Sequence, residues 1–253
     1  MRKIQLIVAL TSFFAFTSIS GQDVSVDEII NGYFENTGGI ENWKAVKGMK
    51  MTAKVNQGGM EIPIEIVQMT NGRQYTKISL QGNDFYQGVF DGETMWSTNF
   101  QSLKAEKADA ETTSNAKLDA NDFPDSWLDY KDKGYTAEFI GKETIDGAET
   151  FKVKLIKEPK TVDGKQVEDV YYYYFDVDSY VPLAMDSEVK AGPQAGMVGR
   201  VTFSDYQEVD GLYFPFSMTQ GVKDGPSQPI TLTEITLNPE VDESVFAFPS
   251  GGE

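Results

Sequence analysis

The 253-residue chain contains no histidine and no cysteine, which removes imidazole bases, thiolate nucleophiles, disulfides and zinc sites built from Cys or His. Positive charge is scarce: Lys and Arg total 22 against 39 Asp and Glu, a formal net charge of −17. A nucleic-acid partner needs a basic surface, and so does attachment to anionic lipid headgroups, so both are excluded. No G-x-S-x-G elbow and no glycine-rich phosphate loop opening a helix is present. With so many acidic residues, carboxylate pairs such as Asp122/Asp125 and Asp176/Asp178 arise by chance, and Asp178-Ser179 reads equally well as a turn. The segment DVDSYVP lacks the remaining ligands and the glycine of a calcium loop. The residues therefore predict a non-enzymatic protein with no cofactor and no metal.

What is present begins with MRKIQLIVALTSFFAFTSISGQD. Arg2 and Lys3 precede an apolar run from Leu6 to Phe16 and then small residues, the three-part pattern of a cleavable secretion signal over residues 1–21. The run is shorter than the ~20 residues that span a bilayer. No cysteine follows it, so acylation at a new N-terminal Cys is excluded. The expectation is a secreted chain, residues 22–253, without a lipid anchor, in a periplasm if the source is Gram-negative. The 40% hydrophobic residues supply a sizeable core.

Ser25 with Glu28 three residues on is a capping-box pattern, and Ile29, Ile30, Tyr33 and Phe34 make one apolar face, so a helix is predicted there and ends at Gly38-Gly39. A second helical turn is predicted around Ile40 to Val46. From about residue 49 the period becomes two, with turns at Gly58-Gly59, Asn71-Gly72, Gly82-Asn83 and Asp91-Gly92. A second strand-rich block from about residue 135 to 238 has turns at Asp146-Gly147, Asp163-Gly164, Asp210-Gly211 and Asp224-Gly225. Together these give roughly ten or eleven strands, enough to curl into one strongly bent antiparallel sheet. No linker separates the blocks, so residues 22–253 read as one domain. Between them, about 101–134 reads as a helical and polar insert, with Pro124 in the first turn of a helix carrying Trp127 and Leu128. Those side chains either plug a closed core or form a lid.

The strands are rich in large, soft apolar groups. Phe85, Phe90, Met95, Trp96, Phe175, Met185, Phe203, Phe214, Phe216 and Met218, with Trp127 and Leu128 from the insert, are candidates for lining an apolar cavity that holds acyl chains. Arg73 and Arg200 are the candidates for steering a ligand headgroup. Tyr171 to Tyr174 must send rings to both faces of a strand, so at least two are exposed or covered by another element.

Several segments together resemble the LolA-like outer-membrane lipoprotein-sorting proteins of the Bacteroidota type: VDEIINGYFENTGGIENWKAVKGMKM, FDGETMW, YYYYFDVDSYVPLAM, FSDYQEVDGLYFPFSM and ITLNPEVDESVFAFP. The resemblance implies a mainly β fold, an incomplete antiparallel β-barrel of about eleven strands with helices over its opening. It further implies a soluble, monomeric periplasmic carrier that binds the acyl chains of a lipoprotein or other lipid in an apolar cavity, for transfer toward the outer membrane. Trp96, Phe203, Tyr206 and Phe214-Pro215 match positions of the family that are structural or cavity-lining. The alternative is a non-catalytic envelope interaction or assembly module with a packed interior and a protein partner.

Overall fold

The computed structural model describes residues 24–249; the predicted signal segment lies outside the described residues. Two helices come first, α1 (Val26–Asn36) and α2 (Ile40–Ala45). Ser25 caps α1 as the pattern requires, its side chain accepting from the Glu28 backbone N–H. Six strands follow: β1 (Gly48–Gln57), β2 (Met60–Met69), β3 (Gln74–Leu80), β4 (Asn83–Phe90), β5 (Met95–Thr98) and β6 (Ala105–Lys107). After α3 (Ala110–Asp119) come β7 (Thr136–Ile145), β8 (Ala148–Val162), β9 (Lys165–Asp176), β10 (Pro182–Glu188), β11 (Val198–Val209), β12 (Leu212–Val222) and β13 (Ser227–Leu237).

All strands join one antiparallel sheet in the order β6-β5-β4-β3-β2-β1-β13-β12-β11-β10-β9-β8-β7. The fold is the expected mainly β, open curved sheet, with thirteen strands instead of about eleven. The three-residue β6 is too brief to leave a period-two signal of its own. The hairpin turns fall where their residues predict. Asp146-Gly147, Asp163-Gly164 and Asp210-Gly211 all have positive φ at both positions, the geometry that Asp-Gly tolerates.

The inner face of the sheet carries the helices. Ile29, Ile30, Tyr33 and Phe34 of α1 and Trp43 of α2 pack with Val153, Leu155, Phe175 and Phe214 from the sheet. The insert differs from expectation. Its helix, α3, lies over 110–119, capped by the Asp109 side chain on the Thr112 N–H, whereas residues around Pro124 form turns. Trp127 in those turns is 2% exposed and packs edge-on against Tyr130, Tyr173 and Phe175. The alternatives thus resolve into two pieces: residues 123–135 plug the core, and α3 is a polar strap.

The strap also reveals the curvature. α3 touches both β5 and β8, which lie next to opposite ends of the sheet order. One helix reaches both only if the sheet curls until its two ends face each other across it. Polar contacts fasten it there: Asn115 exchanges hydrogen bonds with the backbone of Thr161, and Glu111 accepts from the N–H groups of Asp163 and Gly164. On the outer face, the C-terminal segment lays Phe246 over Val67, Tyr75, Val89 and Trp96. Among the described residues no helix is long and apolar enough to cross a membrane.

Candidate functional site

The inner face is packed over β8 and β9 and again over the middle strands β12, β13 and β1, where Phe214, Leu232, Ile235, Met49 and Ala53 are buried. Over β8 and β9, Val153, Leu155 and Phe175 are fully buried beneath α1 and the plug. Toward β10 and β11 the same cross-strand row continues from Val153 through Tyr173 and Met185 to Val201. A second row, Ile62, Val55, Ile230, Met218 and Phe203, runs across β2, β1, β13, β12 and β11 through successive direct pairs. Ile66, Ile78, Met185, Val201 and Phe203 are half-buried inner-face groups that join none of the packed hydrophobic clusters of the described residues. They form two half-buried apolar patches, one on β2 and β3 and one on β10 and β11, beside the packed middle strands, an arrangement that can accept a flexible apolar ligand.

Next to these patches lies a polar cleft of about 420 Å³ between the sheet and residues 119–126. Gln68 of β2 and Gln74 of β3 form one wall; they are cross-strand neighbours on the same face as Ile66 and Ile78. The opposite wall holds Asp122, Asp125, Ser126 and Tyr173. Asp125 accepts from the Tyr33 hydroxyl at 2.8 Å and the Trp127 N–H at 2.7 Å. Burial pushes its carboxyl up to about 6, against the lowering effect of those two bonds and of Lys133. Burial, together with the Asp125 charge, also raises Tyr33, Tyr173 and Tyr206. Asp122 accepts from Tyr135 at 3.1 Å and pairs with Lys157 at 2.6 Å. Beyond Lys157, the buried Asp169 carboxylate sits 3.1 to 3.6 Å from Lys190, Lys160 and Lys157. Its oxygens make no aligned hydrogen bond.

The sequence-predicted residues fall into four groups. Met185, Phe203, Phe216 and Met218 are half-buried on the inner face, and Phe85 joins that face through its pairing with Ile78. Phe85 is covered by Phe100, stacked at 4.8 Å. Phe90 and Met95 pair with each other near the Gln74 end, Phe90 being 1% exposed. Trp127, Leu128, Phe175 and Phe214 belong to the packed core. Trp96 faces outward, its indole N–H donating to the Phe246 carbonyl at 3.0 Å. Close by, a groove of about 590 Å³ runs along the C-terminal segment on the outer face.

Neither arginine faces the inner surface. Arg200 lies on the outer face with Tyr172 and Tyr174, bound through two nitrogens to Asp186 at 2.6 and 2.8 Å. Burial opposes ionisation of Asp186, but bonds from Arg200, Lys223 and Tyr174 hold its carboxyl below the usual range. Arg73 is engaged by Glu243 and sits over the Phe246 ring. The tyrosine run does divide, with Tyr171 and Tyr173 inward and Tyr172 and Tyr174 outward. Sequence reasoning missed Ile66 and Ile78, although strand alternation marks them, and the amide pair Gln68/Gln74, whose pairing depends on register. Two Ser-x-x-Lys spacings offer no catalytic pair: Ser114 and Lys117 are exposed on α3, and Lys190, which follows Ser187, is held by Asp169 and the Glu168 carbonyl.

No protein-family model and no curated protein matches the chain. Solved structures do. A domain assigned as an outer membrane lipoprotein-sorting protein from Vibrio parahaemolyticus superposes with a TM-score of 0.52 at 13% identity, over 87% of this chain and 94% of its own. A LolA superfamily protein from Nitrosomonas europaea gives 0.53 at 11% identity over 88% and 98%. A DUF1329 family protein from Desulfovibrio piger gives 0.54 at 12% over 88% and 97%. The chain therefore has a LolA-like fold. Identity at this level carries the fold and not the cargo.

Proposed function

We propose that this protein is a periplasmic, non-enzymatic carrier that binds the acyl chains of a lipoprotein or another lipid against the inner face of its sheet and releases them toward the outer membrane. The observation that carries the reading is the half-buried state of Ile66, Ile78, Met185, Val201 and Phe203, which join none of the packed clusters. These large side chains sit inside the curl of the sheet, beside a core that is packed to below 2% exposure at Val153, Leu155 and Phe175. A fold that needed them only for stability would close over them as it does over Phe175. The LolA-like fold is consistent with this use.

Native mass spectrometry of gently purified mature protein, followed by organic extraction and lipid analysis of the same sample, tests the proposal. A stoichiometric acylated species is expected. Clean protein that also ignores added acyl probes would overturn it and leave the interaction-module reading.

A further inference from the structure

The polar cleft at the end of the apolar face distinguishes among lipid classes, an inference that rests on the carrier reading. Every lysine near it is already engaged: Lys157 with Asp122 at 2.6 Å, Lys160 with Asp119 at 2.6 Å, and Lys133 with the Asp125 carbonyl at 3.0 Å. Three carboxylates, those of Asp119, Asp122 and Asp125, line the cleft against the single lysine Lys157. A phosphate entering there meets no unpaired cation and several negative charges, so its desolvation goes uncompensated. The carboxylates are satisfied too, Asp122 by Tyr135 and Lys157, Asp125 by Tyr33 and the Trp127 N–H, so an ammonium gains no free partner.

The open hydrogen-bonding capacity is neutral. Gln68 and Gln74 are half-buried, face each other across the β2–β3 pair, and make no side-chain hydrogen bond to a described residue. Gln87, on the same face, is different, because its amide is spent on the Thr98 carbonyl at 2.8 Å. Two free amides offer both donors and acceptors, which suits hydroxyl or amide groups. They continue directly into the apolar rows, since Gln68 follows Ile66 and Gln74 precedes Thr76 and Ile78 at two-residue spacing on one face.

We infer that the lipid carried on the inner face has an uncharged, hydroxyl- or amide-bearing head, seated between the Gln68/Gln74 pair and residues 123–126, and that phosphate-headed lipids are discriminated against. Both a glycerol-type head and the amide linkage of an acylated chain meet this chemistry. The test is competition for a pyrene-labelled monoacylglycerol by four ligands with the same palmitoyl chain: palmitoylglycerol, palmitoylethanolamide, a lysophosphatidic acid and a palmitoyl amine. The two neutral ligands are expected to compete best, and their ratio tells which source is preferred. Gln68→Leu/Gln74→Leu should weaken both neutral ligands about tenfold, the affinity of two hydrogen bonds, while leaving the phosphate lipid unchanged. Val201→Ala, away from the amides, should weaken all four alike. Gln68→Ala alone provides the readout if the double variant does not fold, with a smaller loss for the same two ligands. Phosphate- or amine-headed lipid binding as tightly as the neutral pair, or neutral binding indifferent to the glutamines, would overturn the inference and leave the carrier proposal standing. Failure of every ligand to bind would remove both.

Discussion

Two kinds of region contrast on one face of this sheet. Over β8 and β9 the inner face is filled by α1 and the 123–135 plug, so Val153, Leu155 and Phe175 are buried completely. Over β2, β3, β10 and β11 the same face presents side chains of the same kind, and Ile66, Ile78, Met185, Val201 and Phe203 remain half-buried. Strand periodicity is alike in both. What differs is cover: the helices and plug pack on β8, β9 and the middle strands β12, β13 and β1, while the strap α3 closes the gap between the sheet ends with polar contacts and brings little apolar surface of its own. A curved sheet can therefore carry packed core and half-buried surface on one face without any change in residue class.

The sharpest way to break this contrast is to empty the packed region under the plug. Trp127→Ala removes the centre of the plug and should lower unfolding free energy by about 3–5 kcal/mol in urea denaturation. A loss under about 1 kcal/mol would mean that the plug is not core.

The plug also carries a pH signature. Because the Asp125 carboxyl is raised to about 6 in the folded protein, the fold holds that proton more tightly than the unfolded chain does. Its protonated form stabilises below pH ~4, and this contribution, about 3 kcal/mol at most, is lost as pH rises through 6. Asp125→Asn should abolish this component, so the stability difference between variant and wild type should grow in the variant's favour from pH 4 to pH 7. Denaturation curves at the two pH values measure it, and parallel stabilities would contradict the assignment.

A smaller effect separates the outer face from the inner. Arg200→Met leaves Asp186 with Lys223 and Tyr174 alone, and should cost about 2 kcal/mol of stability while leaving acyl-probe affinity unchanged. Weakened lipid binding in that variant would return Arg200 to a headgroup role.

The smallest stability change is expected at the half-buried inner-face residues. Ile66→Ala and Val201→Ala should each cost under about 1 kcal/mol of stability yet lower acyl-probe affinity about tenfold together. Fluorescence titration beside denaturation separates the two effects, and a large stability loss without an affinity change would make this surface ordinary core.

Much of this was legible in the chain. Ser25 and Glu28 announced α1, the Asp-Gly pairs announced hairpins, and period-two segments announced the sheet. Alternation also divided the tyrosine run correctly between faces. Alternation names two faces without saying what lies over either, which is why Trp96 could be assigned to a cavity although the C-terminal segment holds it outside. The same reason underlies Arg200, whose partner Asp186 is fixed by the β10–β11 register and by nothing local. Helix α3 escaped notice because its residues make no apolar stripe, the signal on which helix prediction rests. Gln68 and Gln74 meet only through pairing across a hairpin, so their partnership is a property of the fold.

The contrast between packed core and half-buried inner surface is tested most directly by methionine-methyl NMR with a monoacylglycerol that carries a spin label on its acyl chain. Met185 and Met218 lie on the inner face and Met69 lies under the C-terminal segment on the outer face. The account predicts broadening of Met185 and Met218 on titration while Met69 stays sharp. Broadening confined to Met69, or none at any methyl, would contradict it.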